Sequence, residues 1–241
     1  DAESIIEHAV FRFGGLHKDY SQHGYHGCYN EEDWYYYDPG ACNTVPYRGT
    51  IRLNKASPTL RNNEILFGAG YAISIDVDSE PTTSGNTVSG NAGNGVEIRK
   101  GTVTGAVVRT WANTDMVYVV TGYLTYEPDT TLVIQPGVKV KVGLNKLINI
   151  QGILKVQGTS GQSVIFTSFK DDTVGGDTNN DGDASQPAPG DWGHINFADS
   201  SNDAESIIEH AVFRFGGLHK DYSQHGYHGC YNEEDWYYYD P

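Results

Sequence analysis

A chain of 241 residues with 31 acidic and only 16 basic side chains carries a formal charge of −15 at pH 7, which argues against binding to nucleic acid backbones or anionic membranes. No apolar run approaches the roughly 20 residues of a membrane span, and any targeting segment is expected to lie outside this stretch. With 29 Gly, 17 Tyr and a single Met, the composition favours turns and short strands over helices.

Residues 1–39 return letter for letter as residues 203–241. Asp1-Ala2-Glu3-Ser4-Ile5-Ile6 matches Asp203-Ala204-Glu205-Ser206-Ile207-Ile208, and the identity runs on to Pro39 and Pro241. Such self-similarity marks an array whose units are stabilised by stacking on their neighbours. Residues 1–202 are therefore expected to form one complete unit with insertion loops at 16–49 and 170–191. Residues 203–241 then begin the next identical unit. A strand over residues 5–13, repeated at 207–215, is expected to stack where the preceding unit ends.

The first insertion holds His17, His23, His26, Cys28, the acidic run Glu31-Glu32-Asp33 and the run Trp34-Tyr35-Tyr36-Tyr37. Cys28 and Cys42 belong to one unit, while Cys230 repeats Cys28 and would pair beyond Pro241. A Cys28–Cys42 disulfide would close a loop with little core of its own, and it predicts an oxidising location, extracellular or at the cell surface. His23, His26 and Cys28 also have the spacing of transition-metal ligands, a role that disulfide formation would remove. Trp34, Tyr35, Tyr36, Tyr37, Tyr25 and Tyr29 read as an interaction loop, because their broad apolar faces with polar ends suit contact with the protein body, a neighbouring filament or a sugar ring.

From residue 57 a shorter period emerges. Pro58-Thr59-Leu60-Arg61-Asn62-Asn63-Glu64-Ile65 aligns with Pro81-Thr82-Thr83-Ser84-Gly85-Asn86-Thr87-Val88, an offset of 23, and Ile73-Ser74-Ile75 falls on Val96-Glu97-Ile98. Thr50-Ile51-Arg52-Leu53 supplies an earlier copy of that last strand. Each segment alternates apolar and polar residues, one face inward and the other toward water, between Gly, Asn and Pro turns. Short strands at this period describe an all-β parallel β-helix of about 23 residues per coil, with Asn63 and Asn86 stacked as a ladder.

Further strands follow at Val119-Val120, Leu124-Thr125-Tyr126, Leu132-Val133-Ile134, Val138-Lys139-Val140-Lys141-Val142, Leu147-Ile148-Asn149-Ile150, Ile153-Leu154-Lys155-Val156 and Val164-Ile165-Phe166. The order of Pro128-Asp129-Thr130-Thr131-Leu132-Val133-Ile134-Gln135-Pro136-Gly137-Val138, Asn149-Ile150-Gln151-Gly152-Ile153-Leu154, Ile165-Phe166-Thr167-Ser168 and Gly190-Asp191-Trp192-Gly193-His194-Ile195 resembles right-handed parallel β-helix segments of large secreted and surface-anchored prokaryotic proteins, related in fold to pectate-lyase-like solenoids. Residues 57–99 look like the repeats of periplasmic copper-site maturation proteins and polysaccharide epimerases. The resemblance implies a right-handed solenoid but no particular activity, because this scaffold carries lyases, hydrolases, adhesins and spacers alike.

The second insertion contains Asp177-x-Asn179-x-Asp181-Gly182-Asp183. Alternate oxygens around a sharp Gly turn match the first half of a calcium loop, but Ala188 stands where a helix-loop-helix hand places its bidentate Glu. Asp171, Asp172 and Asp191 are the expected further ligands of a structural Ca2+. A solvated acidic insertion of the same composition is the other reading.

Identical units laid end to end make length, whereas a catalytic domain needs one good site. The sequence therefore predicts a structural subunit of an extracellular filament or surface stalk, not an enzyme, with identical copies as end-to-end partners and lateral filaments or surface glycans as further ones. The alternatives are an adhesin or polysaccharide-binding solenoid and a polysaccharide lyase or hydrolase. No placed set of acids and bases selects the last.

Overall fold

The computed structural model describes residues 4–12, the backbone of Cys28–Asn30 and Asp33–Asp38, and residues 49–217. Cys42, Cys230 and Tyr25 lie outside these residues, as do the side chains of Cys28, Tyr29, Trp34, Tyr35, Tyr36 and Tyr37. Cys28–Asn30 and Asp33–Asp38 form a two-stranded antiparallel ribbon.

Parallel pairing at an offset near 23 dominates everything else. Thr59 pairs with Thr82 and Ile65 with Val88, while Ile73 pairs with Val96 and also with Ile51. The result is an all-β parallel solenoid with five complete turns between residues 59 and 168 and a further rung at each end. One long sheet runs the full height through seven strands: Ile51–Leu53, Tyr71–Ile75, Gly93–Ile98, Tyr118–Val120, Lys139–Val142, Val164–Ser168 and Ala211–Phe213. Successive coils place inward side chains in columns, such as Ile73, Val96, Tyr118, Val140 and Phe166, all buried. Burying each contributes about 2 kcal/mol.

Two further faces change composition partway up. Thr59–Arg61 and Thr82–Ser84 share one face with Ile5–Glu7, and Glu64–Leu66 and Thr87–Ser89 share the next with Val10–Arg12. Above Ile98 they give way to Gly101–Val103, Leu124–Tyr126, Ile148–Ile150 and Ile195–Phe197 on one side, and to Val108–Trp111, Thr131–Ile134, Ile153–Gln157 and Ile207–Glu209 on the other. Side chains bridge the break. Asn113 accepts from the Thr83 N–H at 2.8 Å and donates to the Pro81 carbonyl at 2.9 Å, so its amide substitutes for the missing strand.

Corners are made by residues with left-handed backbone. His8, Asn62 and Gly85 have φ of 54°, 56° and 63° at successive levels, and His210 has 46°. This corrects the expected single strand over residues 5–13: His8 splits it into Ile5–Glu7 and Val10–Arg12, on two different faces. The Asn ladder forms as anticipated. Asn63 donates through Nδ2 to Asn86 Oδ1 at 3.0 Å, and Asn86 donates to the Leu60 carbonyl at 2.8 Å.

The two identical segments occupy opposite ends of the solenoid. Ile5–Glu7 and Val10–Arg12 lie below Thr59–Arg61 and Glu64–Leu66, whereas Ile207–Glu209 and Ala211–Phe213 lie above residues 155–157 and 164–166. In the second copy Phe213 stacks on Phe166 with ring centroids 4.9 Å apart.

Candidate metal centre

The insertion after Ser168 folds back over the outer face of the long sheet. Outward-pointing Ser74, Glu97, Val119, Lys141 and Thr167 are buried as a result of what lies over that face, not turned to water as simple alternation predicts. The Asn94 N–H donates to the Thr178 carbonyl at 2.7 Å, and its Nδ2 donates to the Asp177 carbonyl at 3.1 Å. Val174 is buried, and Gly175 lies so close to Val117 that a Cβ there would fall 2.2 Å from a methyl. The base of the insertion is thus a packed element rather than a solvated one.

Within it, carboxylate oxygens of Asp172, Asp177 and Asp181 come within 4.8 Å of one another. Asp177 organises the turn by accepting from the N–H groups of Asp181 at 3.1 Å and Gly182 at 3.0 Å. Left-handed Asn180 and Gly182 let the chain wrap around that carboxylate. Asn179 donates through Nδ2 to Asp181 at 2.9 Å and Ser185 at 3.0 Å. Its Oδ1 is buried without a hydrogen-bond partner, and so is Asp172 Oδ1. Hard oxygen atoms left without donors are what a Ca2+ site requires.

Three of the expected ligands are placed elsewhere. Asp171 is buried and accepts from Thr167 and Thr173 hydroxyls, both at 2.5 Å, with Arg214 Nη1 3.4 Å away. Burial works against its charge, but those hydrogen bonds and then Arg214 outweigh it and hold the carboxyl below its ordinary range. Asp191 likewise accepts from Ser168 at 2.7 Å, Lys170 at 2.9 Å and the Ala188 N–H at 3.0 Å, pinning the far end of the insertion. Asp183 is exposed and outside the cluster.

Sequence patterning gave no warning of Lys141, which is fully buried beneath the loop. Its ammonium donates to the Gly176 carbonyl at 2.7 Å and lies 3.9 Å from Asp172. Burial lowers its pKa to about 8, against the pull of Asp172, Asp171 and Asp177. Burial also raises Asp172; Lys141 opposes that rise, and Asp177, Asp181 and Asp171 add to it. A cation is already present at one wall of the carboxylate cluster, so a divalent ion and a charged Lys141 compete.

A pH dependence follows from the sign of the lysine shift. Between about 8 and 10.5 the unfolded chain holds a proton on Lys141 that the folded chain has released, so raising pH through this window favours folding. The stability of the wild type minus that of Lys141→Met is expected to rise across that window and to be flat below it, because only the wild type gains by releasing the proton. Chemical denaturation at several pH values, in chelator, reads it directly.

No family model, curated protein or solved structure matches the chain.

Proposed function

We propose that the chain is a structural unit of an extracellular filament or surface stalk, in which identical solenoid units join end to end. The observation that carries this reading is the placement of one sequence at both ends, below residues 59–66 and above residues 155–166. A solenoid end presents a row of main-chain donors and acceptors that invites another rung, and a segment able to lie against either end suits a repeating joint. The sequence resemblance to large secreted, surface-anchored prokaryotic solenoids points the same way, and a Cys28–Cys42 disulfide, expected from the sequence alone, would suit such a location.

Electron microscopy of the native material tests the reading. Filaments with a regular axial repeat are expected; monodisperse short rods would overturn it.

Structural Ca2+ held by Asp172, Asp177, Asp181 and Asn179 belongs to the same proposal. The ion would replace mutual repulsion of three carboxylates with shared coordination and lock the insertion onto the sheet. Millimolar calcium is expected to raise the melting temperature by several degrees, and Lys141→Met to bind calcium more tightly because the competing ammonium is gone. An unchanged melting temperature for both proteins would exclude the ion.

A further inference from the structure

The two identical segments have the same fold and use different main-chain groups. In the first copy the Ser4 carbonyl accepts from the Thr59 N–H at 2.8 Å, the His8 N–H donates to the Arg61 carbonyl at 3.4 Å, and the Ala9 carbonyl accepts from the Glu64 N–H at 2.9 Å. In the second copy the Glu209 carbonyl accepts from the Gly158 N–H at 3.0 Å, the His210 carbonyl from the Val164 N–H at 3.2 Å, and the Arg214 N–H donates to the Phe166 carbonyl at 2.9 Å. Alternate residues of a parallel strand address alternate neighbours. The first copy therefore spends one set of main-chain groups on the coil above, and the second copy spends a different set on the coil below; the corner residue is divided, its N–H used at His8 and its carbonyl at His210. One segment can serve both at once.

Inner side chains agree as well. Ile6 pairs with Leu60 and Phe11 with Ile65, and their counterparts Ile208 and Phe213 pair with Val156 and Phe166, all four partners being fully buried. Yet Ile208 and Phe213 remain 42% and 47% exposed, because among the described residues no strand pairs with them from above.

We propose that the exposed face of residues 206–213 is a docking surface for residues 59–66 of a second copy of this chain, entered by exchange for that copy's own residues 4–11. The proposal rests on the end-to-end reading above and adds its register: Ile208 on Leu60, Glu209 on Arg61, Phe213 on Ile65. Two side chains specify that register. In the first copy Asn63, buried, donates to the Ile6 carbonyl at 3.0 Å and accepts from the Ala9 N–H at 2.8 Å; the Ile208 carbonyl and Ala211 N–H are the same groups on the docking face. Arg61 clasps Glu7 at 3.0 and 3.2 Å, and Glu209 offers the identical carboxylate. Exchange of identical segments conserves strand pairs, as in domain swapping, so the equilibrium is set by such side chains and by concentration.

The full chain carrying Glu7→Arg tests this. Its own segment then repels Arg61, while the segment at residues 203–217 of a neighbour keeps Glu209. Self-association, measured by sedimentation equilibrium in low salt, is expected to be about tenfold tighter than wild type, a difference of one charge reversal. Glu7→Arg/Glu209→Arg is expected to return to the wild-type level, and Glu7→Gln to fall between. Unchanged circular dichroism in each variant identifies association as the altered property. Association of Glu7→Arg no tighter than wild type, or equally tight in the double variant, overturns the docking register. If native filaments persist in that case, the end-to-end reading survives it; short rods in every sample remove both.

Discussion

Leu132→Ala is expected to destabilise the solenoid by about 3 kcal/mol, seen as a lower denaturant midpoint with an unchanged slope. Leu132 is fully buried at mid-height, where its strand pairs with Val108–Trp111 below and Ile153–Gln157 above. Those ladders hold the wall in place from both sides, so the backbone cannot move in to fill the space left by the lost methyls. Partial collapse is what makes such truncations cheap elsewhere, and here it is blocked. Val108→Ala on the neighbouring rung is the control: its side chain is 58% exposed, and the change should stay within about 0.5 kcal/mol. Equal effects at the two positions would contradict the inward and outward assignment of this face.

Asn63→Ala is expected to cost about 3 kcal/mol for a different reason. The amide at this corner satisfies the Ile6 carbonyl and the Ala9 N–H below and bonds Asn86 above. Alanine removes the acceptor of the part-buried Ala9 N–H and a donor to the part-buried Ile6 carbonyl, while Asn86 Oδ1 keeps the Asn63 N–H at 3.1 Å. The loss should localise. Hydrogen exchange at residues 6–9 is expected to accelerate more than at residues 118–142, because a solenoid unravels from the rung whose nearest-neighbour contact is weakened. Asn196→Ala, removing an exposed amide that bonds Asn149 at 2.8 Å, should be nearly silent.

Much of the solenoid could be read from local pattern. The offset between Pro58 and Pro81 became the register Thr59 on Thr82, and Ile73 fell on Val96 as aligned. Such pairs are legible because a rung repeats its inward residues at the same level of the coil, and the period alone aligns them. The change of faces above Ile98 was not legible, since Val103 and Val108–Trp111 follow no earlier template and the bridging role of Asn113 needs Pro81 and Thr83 beside it.

The candidate metal centre divides in the same way. The motif from Asp177 to Asp183 identified the turn, but adjacency in sequence could not distinguish Asp172, which faces the cluster, from Asp171, which turns inward to Thr167 and Thr173. Lys141 was hidden by its own regularity: in Val140-Lys141-Val142 it alternates like any solvent-facing residue of a half-buried strand. Only the insertion lying across that strand makes it a buried cation.

By itself the sequence determined the repeat, the coil period and the Asn ladder, all of which depend on residue spacing along one chain. The tertiary structure decided how residues 206–213 are used, because the same letters form the lowest rung in one place and the uppermost in another. A strand has two edges, and which edge is paired depends on the coil that reaches it.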